Sequence, residues 1–81
     1  MKKTIQVQYF AILREQAGTA AETVQTEAEN PGELYQTLRE RHGFTLEPAQ
    51  LKVAVNDDFA PWDAVLADSD RVVFIPPVAG G

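Results

Sequence analysis

The chain has 81 residues, 44% of them hydrophobic and 23% charged, which fits one small globular domain and excludes a disordered, collagen-like or low-complexity chain. Seven basic residues stand against 12 acidic ones, a net charge of −5, and Lys2-Lys3 is the only basic cluster, so the electrostatic footprint of a nucleic-acid binder is missing. Cysteine is absent, which removes disulfides, thiolate metal sites and a cysteine nucleophile of the chain's own. The longest apolar run, Val72 to Ala79, is eight residues interrupted by Pro76 and Pro77, whereas a membrane span needs about 20. Lys2-Lys3 is followed by alternation and not by an apolar export segment, so the expected location is the cytoplasm.

Residues 4 to 10 alternate. Ile5, Val7 and Tyr9 share one face and Gln6 and Gln8 the other, the pattern of a half-buried strand. Phe10 falls on the glutamine face, outside the monomer core. Ala11 to Gln16 is helix-compatible and Gly18 closes it. Glu22 to Ala28 alternates weakly around Val24 and is expected to pair with the first strand.

Asn30-Pro31-Gly32-Glu33 carries the strongest local signal. Asn30 is suited to cap a helix, Pro31 fits its first position, and Glu33 is placed to reach back to the cap. Leu34, Leu38 and either Tyr35 or His42 form the buried stripe, while Glu33, Gln36, Arg39 and Glu40 face water. Gly43 ends the helix in a left-handed conformation. Beyond Pro48, Leu51 to Asn56 reads as a strand, Asn56-Asp57-Asp58 as a turn, and Phe59 to Leu66, with Pro61 and Trp62, as irregular. Asp68-Ser69-Asp70 makes a second turn. Val72 to Ile75 is a final strand, apolar on both faces. One helix covers one face of a sheet, so the other apolar face calls for a second cover. Two strand pairs around one helix form an α+β layer arrangement, and a ubiquitin-like β-grasp over residues 1–77 is expected.

The polar candidates for chemistry are all explained locally. His42 is the sole histidine, with no carboxylates spaced around it as metal ligands, and its expected role is to face the helix dipole. Asp57, Asp58, Asp68 and Asp70 sit in turns, where aspartate bonds the backbone. Ser69 has no histidine partner nearby, and no glycine-rich loop opens a helix. No active site is legible. Phe10, Phe59, Ile75 and Trp62 are either core or contact residues, and for Phe10 and one of Val73 and Ile75 the alternation favours contact with a partner.

The end of the sequence is more informative. Pro76-Pro77 stops the last strand, since proline donates no backbone hydrogen bond. Val78-Ala79-Gly80-Gly81 then tapers in side-chain size to nothing, forming a tail that, extended, reaches about 13–14 Å. Such a tail can enter a channel too narrow for any other residue.

Phe74-Ile75-Pro76-Pro77-Val78-Ala79-Gly80-Gly81 resembles the C-terminal signature of the small subunits of molybdopterin synthase, in the MoaD/ThiS sulfur-carrier family. Phe10-Ala11-Ile12-Leu13-Arg14-Glu15-Gln16-Ala17-Gly18 is similar to the family's F-A-x-x-R-E-x-x-G stretch, and Val55-Asn56 with the late D-x-D turn agrees, although Ser69 stands where the family often has glycine. The resemblance covers the whole chain. It implies a carrier that is not an enzyme on its own and binds no cofactor, with ATP consumed by an E1-like activating enzyme that adenylates Gly81. A sulfur donor protein then converts Gly81 to a thiocarboxylate. The tail, Val78, Ala79 and Gly80, inserts into the large subunit of a heterotetrameric synthase, and sulfur passes to cyclic pyranopterin monophosphate. Phe10, Phe59 and Ile75 correspond to the family's apolar partner contacts, and Arg14 to a charged one. The alternatives are a carrier for another pathway such as thiamine thiazole synthesis, a ubiquitin-like protein modifier, and a plain interaction domain.

Overall fold

A computed structural model describes residues 2–77. Strand β1 (Lys3–Tyr9) is followed by helix α1 (Ile12–Ala17), strand β2 (Ala21–Thr26), helix α2 (Pro31–His42), a 3₁₀ turn (Pro48–Gln50) and strands β3 (Lys52–Val55), β4 (Asp58–Ala60) and β5 (Arg71–Ile75). The sheet order is β2-β1-β5-β3-β4. β1 and β5 run parallel, with Tyr9 opposite Phe74, and the other three pairings are antiparallel. This is the expected α+β β-grasp, a mixed sheet wrapped on one main helix.

The sheet has five strands, one more than the sequence reading, because Asp58–Ala60 pairs with β3 where an irregular segment was expected. Asn56 and Asp57, at φ 52 and 75, supply the two left-handed residues of a tight hairpin turn.

Alternation in β1 sends Ile5, Val7 and Tyr9 into the core, where they meet Leu34, Tyr35 and Leu38 of α2 and Val72 and Phe74 of β5. Tyr35, not His42, completes the buried stripe of α2. The helix begins as its sequence dictates: Asn30 Oδ1 accepts the Glu33 N–H at 2.8 Å, and Gly43 closes the helix at φ 74. Glu33 reaches one residue beyond the cap and accepts the Glu29 N–H at 3.0 Å. Arg39, expected to face water, is half-buried and pairs with Glu47 at 2.9 Å.

Candidate functional site

β5 lies in the middle of the sheet, and its alternation separates two faces. Val72 and Phe74 are fully buried beneath α2. Arg71, Val73 and Ile75 point to the opposite, helix-free face. Across that face Val73 is level with Gln8 of β1 and Ala54 of β3, and Ala54 is level with Phe59 of β4. Phe10 and Ile75 each follow directly on the Tyr9–Phe74 pair, the last of the β1–β5 ladder, and neither shares the core side of that pair. Phe10, Ile75, Val73, Ala54 and Phe59 therefore form one apolar band running obliquely over the outer face. Val73 and Ala54 are largely covered by their neighbours, while Phe10 is 50% and Phe59 73% exposed.

The structure thus brings together the three apolar contact residues read from the sequence, Phe10, Phe59 and Ile75. Both Val73 and Ile75 lie on this face, where only one of the two was expected. Trp62 belongs elsewhere: it is half-buried against the core and stacks on Phe74 at 6.0 Å. Arg14 is exposed on α1, four residues after Phe10, and makes no ion pair with any described residue. Val78, Ala79, Gly80 and Gly81 lie outside the described residues.

Two shallow grooves border the band. The larger, about 500 Å³, is lined by Leu51, Lys52, Val53, Phe59, Ala60 and Trp62. The smaller, about 270 Å³, runs between the 3₁₀ turn and Ile75-Pro76-Pro77, and shares Leu51 and Lys52 with the first. Lys52 is exposed opposite Ile75 and places a positive charge beside the point where the tail begins.

The turn aspartates are occupied as turn residues. Asp68 accepts the Thr4 N–H at 2.7 Å, and Asp70 accepts from the Asn56 amide at 2.9 Å and the Ala67 N–H at 2.8 Å. Asp57 lies 3.6 Å from Arg71. Among the described residues no cluster of His, Asp or Glu is arranged to hold a metal ion, and no helix is long and apolar enough to cross a membrane.

One polar constellation escaped the sequence reading. Glu22 Oε2 accepts the Tyr9 hydroxyl at 2.5 Å and lies 2.7 Å from His42 Nε2, with Arg41 3.9 Å from the other carboxylate oxygen. Burial, then the Glu22 hydrogen bond and charge, pushes the Tyr9 phenol well up, so it stays protonated and donates. Burial alone would raise the Glu22 carboxyl, but hydrogen bonds from Tyr9 and His42 and the nearby positive charges outweigh it, and its pKa falls below the ordinary value of 4.5. His42 is consequently a bridge between α2 and β2, beyond the dipole contact expected of it. A buried tyrosine needs a partner for its polar tip, but nothing local in the sequence pairs Tyr9 with Glu22 or His42.

The sequence pattern of the ThiS family matches residues 7–81. A molybdopterin synthase sulfur carrier subunit from Escherichia coli (strain K12) is 38% identical over 80 residues, covering 95% of this chain and 99% of that one. Among solved structures, a protein–protein complex of subunits 1 and 2 of molybdopterin-converting factor from Helicobacter pylori 26695 contains a chain that matches with a TM-score of 0.65 at 26% identity, over 96% of this chain and 99% of that one. Small archaeal modifier protein 1 from Methanosarcina acetivorans matches with a TM-score of 0.80 over 100% of this chain and 99% of that one; at 21% identity it shares the fold.

Proposed function

The chain belongs to the ThiS family, and from that membership we propose that it is the sulfur carrier of a two-subunit molybdopterin synthase, with Gly81 as the carrying residue. The observation that carries this reading is the apolar band of Phe10, Val73, Ile75, Ala54 and Phe59 on the helix-free face, centred on the strand that leads into the tail. A chain with no legible catalytic cluster but an unpartnered apolar face acts through a partner, and the face and the tail leave the same strand. The E. coli relative is a sulfur carrier subunit of this synthase, and the H. pylori neighbour is described in complex with a second subunit.

In chemical terms, the Gly81 carboxylate is a poor acyl donor until ATP in an activating enzyme converts it to an acyl-adenylate with loss of pyrophosphate. The terminal sulfur of a persulfide donor then attacks the acyl carbon and AMP leaves. Cleavage of the remaining sulfur–sulfur bond by a thiol leaves a thiocarboxylate at Gly81. Its ionised sulfur is the nucleophile that the cysteine-free chain otherwise lacks. The band docks the carrier on a large subunit, whose own side chains perform the transfer to the pterin, and Val78, Ala79 and Gly80 lead Gly81 to that site. This chain's contribution is docking and delivery.

The test is the intact mass after incubation with the host's activating enzyme, ATP and a sulfur donor. A gain equal to oxygen replaced by sulfur, confined to the peptide ending in Gly81, is expected. An unchanged mass with active components, together with isopeptide conjugates of Gly81 in a lysate, would replace this reading with that of a protein modifier.

A further inference from the structure

Ala11 has φ 52 and ψ −126, a conformation that glycine adopts readily and alanine does not. Changing both signs gives a polyproline-like conformation, ordinary for an L-residue. The backbone of Ala11 is therefore that of a D-residue or a glycine. Its side chain is exposed, so no core packing accounts for a methyl group at this position.

The strain persists because the chain is fixed on both sides. Two residues before, Tyr9 is 1% exposed, with its hydroxyl on Glu22 and its N–H donated to the Ala20 carbonyl at 2.9 Å. Two residues after, Leu13 is fully buried and donates its N–H to the Phe10 carbonyl at 3.1 Å, and Glu15 donates to the Ala11 carbonyl at 3.2 Å. Between these anchors Phe10 and Ile12 are turned outward, 50% and 39% exposed. A methyl group at position 11 narrows the conformations open to this short bridge, where glycine would widen them.

We propose that Ala11 is a positioning residue: pinned at a left-handed φ between the core anchors Tyr9 and Leu13, it makes Phe10–Ile12 a rigid knuckle that presents Phe10, with Ile12 beside it, to the partner of the apolar band. The rigidity of the knuckle stands on the backbone and its anchors; its use in docking rests on the sulfur-carrier reading above. Fold stability is given up at one position so that the contact residue is ordered before binding, which lowers the entropy lost on association.

Two chains separate the strain from the stiffness: Ala11→Gly, and a chemically synthesised chain with D-alanine at position 11. Both relieve the strain, and the melting midpoint is expected to rise by at least about 4 °C with D-alanine and by less with glycine, whose freer unfolded chain offsets part of the gain. Only glycine loosens the knuckle. NMR order parameters of residues 10–12 are expected to stay near ~0.85 in the wild type and the D-alanine chain and to fall toward ~0.6 in Ala11→Gly. Affinity for the large subunit, measured by calorimetry, is expected to weaken about two- to five-fold in Ala11→Gly and to be unchanged with D-alanine. A D-alanine chain that melts no higher than wild type, or an Ala11→Gly chain that keeps wild-type order at residues 10–12, overturns the rigid knuckle. Wild-type affinity in a loosened Ala11→Gly chain overturns its docking role. If the wild type itself does not bind the large subunit, the sulfur-carrier reading fails, while the melts and order parameters still decide the knuckle.

Discussion

Replacing Phe59 with alanine should separate binding from folding. Phe59 is 73% exposed on the three-residue edge strand β4, level with Ala54 on the helix-free face. A phenylalanine buries about 150–250 Å² when fully enclosed, so its exposed part leaves about 150 Å² for a partner to cover. At about 25 cal/mol per Å² the ceiling is roughly 3.5 kcal/mol. Alanine retains part of that, and a loss of about 2–3 kcal/mol, or roughly 30- to 150-fold in Kd, is expected. The part covered within the monomer is about 50 Å², worth about 1 kcal/mol at most, so the melting midpoint should fall by no more than about 8 °C. Calorimetric titration against the large subunit and a thermal melt of the free chain measure the two quantities. Val65→Ala is the control: Val65 is 87% exposed, but it borders Lys3 and Glu29 away from the band, and its affinity should match wild type. A Phe59→Ala chain that binds within threefold of wild type, or a Val65→Ala chain that loses as much, would refute the assignment of the outer face.

Three further outcomes follow from the same structure. Gly81→Val should abolish sulfur transfer to the pterin in a reconstituted synthase while leaving the melting midpoint unchanged, because the core cluster of the described residues is built between Ile5 and Phe74; a fall in midpoint would count against a purely delivering role for Gly81. Asn30→Ala removes the acceptor of the Glu33 N–H, and the helix should lose about 1 kcal/mol, read as a drop in midpoint of about 4–8 °C with sulfur transfer at 25 °C unaffected. Glu22 has a folded pKa below its ordinary 4.5, so its contribution to stability is present above that value and is lost as pH falls through the folded pKa. Glu22→Gln should therefore flatten the acid side of the stability curve below about pH 4.5 in urea titrations, and a wild-type acid slope in the variant would count against the Tyr9–Glu22–His42 cluster.

What the sequence made legible was what is decided locally. The alternation of β1 needs only the two-residue period, and the start of α2 needs only Asn30, Pro31 and Glu33 within four positions. The same counting assigns Phe10 and one of Val73 and Ile75 to the outer face, and the structure places both Val73 and Ile75 there with Phe10. Phe59 joined them through the family resemblance, because β4 carries no pattern of its own. Three residues are too few for a period, Pro61 follows at once, and the hairpin turn uses Asn56-Asp57 without the glycine that usually marks it. The parallel pairing of β1 with β5, and the meeting of Tyr9, Glu22 and His42 from three elements, depend on residues far apart in the chain, which local spacing does not register.

The position of β5 relates the docking face to the tail. In the order β2-β1-β5-β3-β4 it is bonded on both sides, and Val72 and Phe74 are fully buried beneath the helix. An edge strand can fray; the strand that leads to the tail cannot move without breaking two ladders and the core. Val73 and Ile75 of that strand belong to the apolar band, and Pro76, immediately after, is buried. A partner that grips the band therefore holds the root of the tail as well. On the proposed sulfur-carrier reading, the four residues from Val78 to Gly81 span at most about 13–14 Å, so docking would turn the encounter of Gly81 with a reaction centre into an intramolecular one, at an effective concentration set by a four-residue tether. Each partner that reacts with Gly81 meets this geometry if it docks on the same band, and the narrow reach favours one shared docking mode over separate sites for activation and for transfer.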